Sequence, residues 1–202
     1  MDKEDSKKER ILDAAMQCFS RFGMNKATMD DIAHVLGMKK ASLYYYYKNK
    51  EAIFVDAIKR EIEMARLKIQ ENLDTAKTSS DKLTVYIEEM VDHFGAKKEF
   101  FELNLAAVLE NNALMQNIQS QINCSSIDFL TKTISEGIAN GEFRQGDAKA
   151  LAETLHSVFE ARKIVFMQNA LAQSEQTVDF QIFKDELLRI LELILNGLKT
   201  RK

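Results

Sequence analysis

The feature of this sequence that most restricts its fold is the scarcity of residues that interrupt helices. The 202 residues include no proline and only seven glycines. Proline breaks the interior of a helix and glycine weakens it, so helices can run through most of the chain. No stretch alternates apolar and polar residues as a half-buried strand would. We therefore predict an all-α fold of about nine helices without strands.

The stretch from Thr28 to Lys50 predicts two short helices that are joined by a tight turn. The hydroxyl of Thr28 can cap a helix that begins at the next residue, and the two aspartates that follow suit its positive end. Gly37 can adopt the left-handed conformation that ends this helix. The small side chain of Ala33 lets a second helix, from about Lys39 to Tyr46, cross closely, which is the geometry of a helix-turn-helix.

The second helix has an outward face that suits DNA. Residues four apart share a face of a helix, so Leu43 pairs with Tyr47 and both are expected to point inward. The other positions place cations, phenolic hydroxyls and small side chains outward, as phosphate contacts and base reading in a major groove require. The alternative is a surface helix whose tyrosines only cover a core. Four consecutive tyrosines sweep most of a turn, however, so several must face water unless a partner covers them.

We divide the expected contacts with double-stranded DNA into two groups. Phosphate contacts are assigned to Lys40, Tyr44, Tyr46 and Lys50, with Thr28 positioning the supporting helix. The residues expected to read base edges are Lys39, Lys40, Ala41, Ser42 and Tyr45. The first 50 residues carry ten basic and seven acidic side chains, against 18 and 24 in the rest, so the positive excess lies with this segment.

This segment resembles the DNA-binding region of the TetR family of bacterial transcriptional regulators. The resemblance covers about residues 8 to 56 and is carried by Thr28, Ile32-Ala33, Gly37, Leu43-Tyr44-Tyr45 and Lys48-Asn49-Lys50-Glu51. Three positions depart from the family pattern. Lys39 stands where a serine usually caps the recognition helix, Tyr46 replaces a common histidine, and Tyr47 replaces a common phenylalanine. A tyrosine hydroxyl can still donate to a phosphate, so the contact at position 46 is retained in principle.

Further helices are predicted on both sides of this segment. A first helix is expected to begin after a cap at Ser6 and to end at Gly23. After a capped loop at Thr78 to Asp81, a helix should reach Phe94. The other helices are expected over residues 49–75, 97–110, 113–140, 148–171 and 180–199.

The connector from Ala139 to Glu153 also resembles a segment of the TetR family, in which it precedes the last two helices. In this connector we predict a C-cap at Gly141, a buried apolar plug at Phe143 and an N-cap at Asp147. We place a helix-turn-helix domain at residues 1–50 and a ligand-binding and dimerisation domain at residues 51–202.

The last predicted helix carries an apolar stripe that is wider than one buried face needs. The family's dimer is a four-helix bundle made from the last two helices of each subunit, so the resemblance implies a homodimer. We assign its interface to Phe183, Leu187, Leu191, Ile194, Leu195 and Leu198. A two-fold dimer presents its recognition helices about one DNA turn apart and therefore reads an inverted repeat.

Aromatic residues and methionines concentrate in the middle helices. Small-molecule sites are lined mostly by apolar side chains with a few polar groups, and this composition suits a largely apolar ligand. The alternative is that each of these side chains only fills the core. The family resemblance implies that some of them enclose an effector pocket, and we assign it to His93, Phe94, Phe129, His156, Phe159 and Phe166.

The sequence lacks the residue patterns that metal binding, cofactor binding or catalysis would require. The three histidines have no metal-binding spacing, and no phosphate-binding loop or nucleophile motif is present, so we expect no metal, no cofactor and no enzymatic activity. Cys18 and Cys124 are far apart in sequence and are expected to be buried packing residues. No apolar run could span a bilayer and no signal segment starts the chain, so we expect a cytoplasmic protein.

Together these patterns favour a ligand-responsive, sequence-specific transcriptional regulator, with repression of a palindromic operator and release by a small apolar effector as the preferred interpretation. One alternative is a constitutive DNA-binding protein that has a closed core and no effector. The other is a helical enzyme or protein-interaction adaptor, which specific operator binding would eliminate.

Overall fold

Helices joined by short turns and loops make up the part of the protein that the computed structural model describes, which comprises residues 3–96, 113–172 and 178–199. Its helices are α1 (Lys3–Lys26), α2 (Met29–Leu36), α3 (Lys40–Tyr46), α4 (Lys50–Leu73), α5 (Ser79–Ala96), α6 (Ala113–Ala139), α7 (Ala148–Ala172) and α8 (Phe180–Leu198). The all-α prediction is confirmed. The helix expected over 97–110 lies outside the described residues. Within them, no helix is long and apolar enough to cross a membrane.

The chain forms two compact units, and α4 contributes residues to both. The first unit takes in the chain up to Met64, and the second takes in Ala65 to Gly95 and the chain from Gln116 onward. The first unit thus extends beyond the boundary expected at residue 50. The reason is that the first turns of α4 bury apolar side chains, and the ring of Phe54 packs edge-to-face on Phe19 with centroids 5.2 Å apart.

The start and end of α1 differ from expectation. The helix begins at Lys3, so Ser6 lies inside it and does not cap it. Gly23 (φ 76°, ψ 158°) interrupts the helix as expected, but the chain resumes a helical course to Lys26. Because the break turns the chain just after Phe22, this ring leaves the apolar stripe and lies exposed, with the Arg21 guanidinium 5.1 Å from its centroid.

The predicted caps of the second unit are present. Thr78 and Asp81 cap α5 reciprocally, each side chain accepting from the other residue's backbone N–H at 3.0 Å. Gly141 has φ 80° beyond the end of α6. Asp147 accepts from two backbone N–H groups at the start of α7, both at 3.0 Å. Of the two cysteines, Cys18 is buried as expected but Cys124 is exposed on α6.

Phe143 is the apolar plug that the connector predicted. Its ring is buried, and the backbone N–H of Phe143 donates to the carbonyl of Gly137 at 2.9 Å. A Cβ atom added at Gly137 would lie only 2.3 Å from Cδ2 of the Phe143 ring. The neighbouring Glu142 accepts from the backbone N–H groups of Ser79 (2.7 Å) and Ser80 (2.9 Å), two N–H groups of the first turn of α5 that have no partner within the helix, and so ties the connector to that turn.

We predict that Gly137→Ala destabilises the protein although alanine is normally the better helix former. The added methyl group must displace a buried ring, and overpacking of this kind costs about 1–3 kcal/mol. Gly146→Ala is the matched control, because its Cβ would meet its nearest neighbour, Leu151, at 3.5 Å. Chemical denaturation should show a lower free energy of unfolding for Gly137→Ala alone. Equal stabilities of the two variants would contradict the tight seating of Phe143.

Candidate nucleic-acid interface

The start of α2 is fixed by a capping box. The hydroxyl of Thr28 accepts from the backbone N–H of Asp31 at 3.2 Å, and the backbone N–H of Thr28 donates to the Asp31 carboxylate at 2.8 Å. Hydrogen bonds from the Thr28 side chain and backbone hold the pKa of Asp31 below its ordinary value. Thr28 is therefore the N-cap that the sequence predicts.

The turn after α2 brings α3 close to it. Gly37 is left-handed (φ 64°), and its backbone N–H donates to the carbonyl of His34 at 3.0 Å. The N–H of Met38 donates to the carbonyl of Ala33, also at 3.0 Å. These bonds satisfy carbonyls at the end of α2, and the buried, small Ala33 gives α3 room to cross.

One face of α3 packs inward as predicted. Leu43 and Tyr47 are both buried. Burial, together with the neighbouring Asp56 carboxylate, raises the pKa of Tyr47 to about 12. Lys39 occupies the N-cap position without a side-chain capping bond to any described residue, as its departure from the expected serine implies.

The other face of α3 is open to solvent in the subunit. Tyr45 is 79% exposed and Tyr44 is 48% exposed, whereas Tyr46 is half-buried. The rings of Tyr45 and Tyr46 meet edge-to-face with centroids 5.2 Å apart. The remaining exposed positions are Lys39, Lys40, Ala41 and Ser42.

Lys40 is tied to the neighbouring helix of the motif. Its ammonium lies 2.6 Å from the carboxylate of Asp30 on α2, and both side chains are largely exposed. The hydrogen bond with Asp30 raises the pKa of Lys40, which remains a cation. Since exposed ion pairs of this kind are weak, a DNA phosphate can take the place of the aspartate.

Lys50 does not have the geometry expected of a phosphate contact. Its ammonium donates to the carbonyls of Met24 (2.8 Å), Asn25 (2.9 Å) and Ala27 (2.8 Å). An ammonium has three N–H donors, so this set leaves none for DNA. We correct the assignment: Lys50 clamps the end of α1 and is not placed among the DNA contacts.

Comparisons with known proteins agree with this geometry. Residues 11–57 match the family model described as bacterial regulatory proteins, tetR family. Over this DNA-binding segment the chain is therefore similar to the TetR family. It is 23% identical over the full length of both chains to the fatty acid metabolism regulator protein of Bacillus subtilis. It is 24% identical to the biofilm operon icaADBC HTH-type negative transcriptional regulator IcaR of Staphylococcus aureus, over 93% of this chain and 98% of IcaR.

The fold is also that of solved regulators. A transcriptional regulator from Cytophaga hutchinsonii superposes with a TM-score of 0.80 at 24% identity, covering 96% of this chain and 99% of that one. These matches are to transcriptional regulators, and the helix-turn-helix of α2 and α3 lies within the residues that carry the family match.

Two basic residues of α1 line a groove with the TetR-type recognition helix. Lys7 and Arg10 border a groove of about 450 Å³ together with Ser42, Tyr45 and Tyr46. Basic residues at this end of the chain can form a solvated arm or contact the DNA backbone, and the groove favours the second role. Lys7 and Arg10 are three residues apart on α1 and therefore share a face, which is the signal in the sequence that could have grouped them.

The residues expected to form the dimer interface face the core of their own subunit instead. Phe183, Leu187, Leu191, Leu195 and Leu198 are buried within the second unit, and Ile194 packs against the same cluster. Three other helices, α5, α6 and α7, converge on this stripe of α8 within one subunit, which accounts for its width. The large apolar side chains left exposed on α8 are Ile182 (64%) and Leu193 (73%), and those on α7 are Ile164 and Val165.

The residues expected to line an effector pocket lie in or beside this core. Phe159 and Phe94 are buried, Phe129 stacks on Tyr86 at 4.8 Å, and Phe166 stacks on Phe183 at 4.3 Å between ring centroids. Nε2 of His156 is buried and has no hydrogen-bond partner among the described residues. Burial holds the pKa of His156 below its ordinary value, which favours the neutral ring. His93 is half-buried at the end of α5.

We predict that Lys50→Met lowers stability without changing the salt dependence of DNA binding. Methionine keeps the aliphatic stem but leaves three carbonyls without their donor, a loss of about 1–3 kcal/mol. Lys40→Met is the matched comparison, because removal of a phosphate contact should make the log-salt slope shallower by about one unit. Thermal unfolding and salt titrations of binding measure the two effects. A shallower log-salt slope for Lys50→Met would show that Lys50 does contact DNA phosphates.

Proposed function

We propose that this regulator is a homodimeric repressor that binds an inverted-repeat operator and is released by a largely apolar effector. The observation that carries the proposal is the solvent-exposed face of α3, which presents lysine, hydroxyl and aromatic groups from a rigid helix-turn-helix. Repression is favoured because the Staphylococcus aureus relative is named as a negative transcriptional regulator.

The proposed DNA contacts are of two kinds: contacts with phosphates, which position the protein, and contacts with bases, which recognise the sequence. Lys40, Tyr44 and Tyr46 are assigned to phosphates, and Lys7 and Arg10 join them because they border the same groove as the recognition helix. Base reading is assigned to Lys39, Ala41, Ser42 and Tyr45, all of which are exposed. Thr28 acts indirectly through the cap of α2.

Dimerisation is assigned to the exposed sides of α7 and α8. Large apolar side chains on a protein surface mark interaction sites when they cluster, and a second copy of the same surface can cover them by two-fold symmetry. Ile182 and Leu193 on α8 and Ile164 and Val165 on α7 supply that surface. In this proposal the buried stripe of α8 packs in the core of its own subunit and does not contact the partner.

The effector is assigned to the aromatic core of the second unit. The Bacillus subtilis relative is named as a regulator of fatty acid metabolism, and a hydrocarbon chain is the kind of ligand that would exchange places with stacked phenylalanines. The neutral, buried Nε2 of His156 is suited to a hydrogen bond with a single polar group on that ligand. A preference for the non-binding conformation by about 1–3 kcal/mol would weaken DNA binding by about 5–150-fold.

The stacked rings also favour a second candidate, a constitutive repressor without an effector. Phe166 lies nearly parallel to Phe183 at 12°, so this part of the core is closed. The two candidates differ in one observable. In a ligand-responsive repressor, a fatty acid and the operator must weaken each other's binding by the same factor, whereas in a constitutive repressor they are independent.

A footprint on the DNA adjoining the protein's own gene tests the proposed function. We expect the full-length protein to protect an inverted repeat whose half-sites lie about 34–36 Å apart, one turn of DNA. At physiological salt the operator should bind far more tightly than random DNA of equal length. Combined Lys39→Ala and Lys40→Ala substitutions should abolish protection. Equal affinity for operator and random DNA would reject a sequence-specific function.

The revised dimer interface is tested by two substitutions on one helix. Leu193→Glu should give a folded monomer, because the side chain is exposed in the subunit, whereas Leu191→Glu should unfold the protein, because it is 1% exposed in the core. Light scattering reports the mass, and circular dichroism reports the helix content. If Leu193→Glu, alone or with Ile182→Glu, remains a dimer at micromolar concentration, the interface lies elsewhere.

A further inference from the structure

The recognition helix lacks most of the side chains that read bases by hydrogen bonding. Arginine or lysine reads guanine, asparagine and glutamine read adenine, acidic residues accept from cytosine, and serine can pair with several bases. Residues 39–46 have the sequence KKASLYYY, in which lysine and serine are the only residues of these types. The groups that this helix can offer to a major groove are therefore two lysines, one serine, one alanine and three tyrosines.

One of the two lysines is already engaged within the motif. The ammonium of Lys40 is directed at Asp30, with 2.6 Å between nitrogen and oxygen. Lys39 precedes the first turn of α3 in an extended conformation (φ −73°, ψ 141°), so it lies at the end of the reading face. The middle of that face is left to side chains without charge.

Tyr45 and Ala41 form an apolar centre on this face. They are four residues apart on α3 and both are exposed, so they lie side by side along the helix. Tyr45 is the most exposed large apolar residue among those described, at 79%. The half-buried Tyr46 braces its ring edge-to-face at 84° between ring planes. A braced ring loses less conformational freedom when it binds.

We propose that α3 reads its operator chiefly through thymine methyl groups, which contact the ring of Tyr45 and the methyl group of Ala41. In the major groove, thymine presents its C5-methyl group beside the O4 acceptor, and small or aromatic apolar side chains are its partners. This inference rests on the proposed operator binding and names the chemistry by which the operator is read. It places thymines opposite Tyr45 and Ala41 in each half-site.

The test uses uracil in place of thymine, because uracil keeps O4 and the Watson–Crick pairing and lacks only the methyl group. A preferred duplex is first selected from a random library with the full-length protein. Each thymine of one half-site is then replaced singly by deoxyuridine, and binding is measured by fluorescence anisotropy. At one or two positions we expect a loss of about fourfold in affinity, equivalent to the roughly 0.8 kcal/mol of one buried methyl group.

A double-mutant cycle assigns the contact to a residue. In Tyr45→Ala, the thymine and uracil duplexes should bind equally at the position that Tyr45 contacts, whereas Tyr44→Ala should keep the fourfold difference there. Both tyrosines are exposed, so neither variant removes a buried side chain. Circular dichroism confirms that each variant is folded. Ala41→Ser repeats the cycle at the neighbouring thymine.

The outcomes separate this inference from the proposed function. If the library yields a preferred sequence and no thymine position responds to deoxyuridine, methyl reading is wrong and sequence-specific binding stands. If the fourfold difference survives in Tyr45→Ala and in Ala41→Ser, other residues read the methyl groups. If no sequence is enriched, the proposed function itself fails.

Discussion

Three backbone carbonyls at the end of α1 converge on the ammonium group of Lys50, the first residue of α4. The last carbonyls of a helix have no hydrogen-bond partners within it and form the negative end of its dipole. A cation placed there donates hydrogen bonds to these carbonyls and interacts favourably with the dipole. Ala27, which supplies one of these carbonyls, directly precedes the cap of α2 at Thr28. The clamp therefore fixes the starting point of α2, and through the turn at Gly37 it fixes the direction of α3.

Helix α4 is anchored again by Arg60 near its middle and by Asn72 near its end. Within the first unit, Arg60 bridges the carboxylates of Glu9, Asp13 and Glu61 at 2.8, 2.8 and 3.1 Å. Within the second unit, the Asn72 side-chain amide donates to Glu89 at 2.6 Å. Breaking a buried pair such as Arg60 with Glu61 is costly, because it leaves a charge without compensation. A rotation of α4 would disturb both sets of contacts, and in the proposed function this helix carries the signal from the effector to α3.

Local chemistry explains why so much of the fold was predictable. The caps at Thr28 and Asp147 and the left-handed glycines at positions 37 and 141 act over four residues or fewer, so the sequence shows both partners. The clamp at Lys50 joins residues more than twenty positions apart, and its charge alone suggested DNA. Periodicity likewise identified the apolar stripe of α8 but not what covers it. The stripe is covered by α5, α6 and α7 of the same subunit, and this packing cannot be predicted from the periodicity of α8 alone.

The charge distribution and the proposed reading of methyl groups have a common consequence for regulation. Non-specific DNA binding comes almost entirely from cations that release counterions, and this chain has a net charge of −3 with Lys50 withdrawn to carbonyls. We therefore expect a low background affinity for arbitrary DNA. Apolar contacts at thymines then supply a larger share of operator affinity, and such contacts require close approach of α3 to the bases. A small displacement of α3 removes them, whereas long-range attraction to phosphates would persist. In the proposed function, an effector that moves α4 slightly therefore releases the operator without having to overcome strong electrostatic attraction to the phosphates.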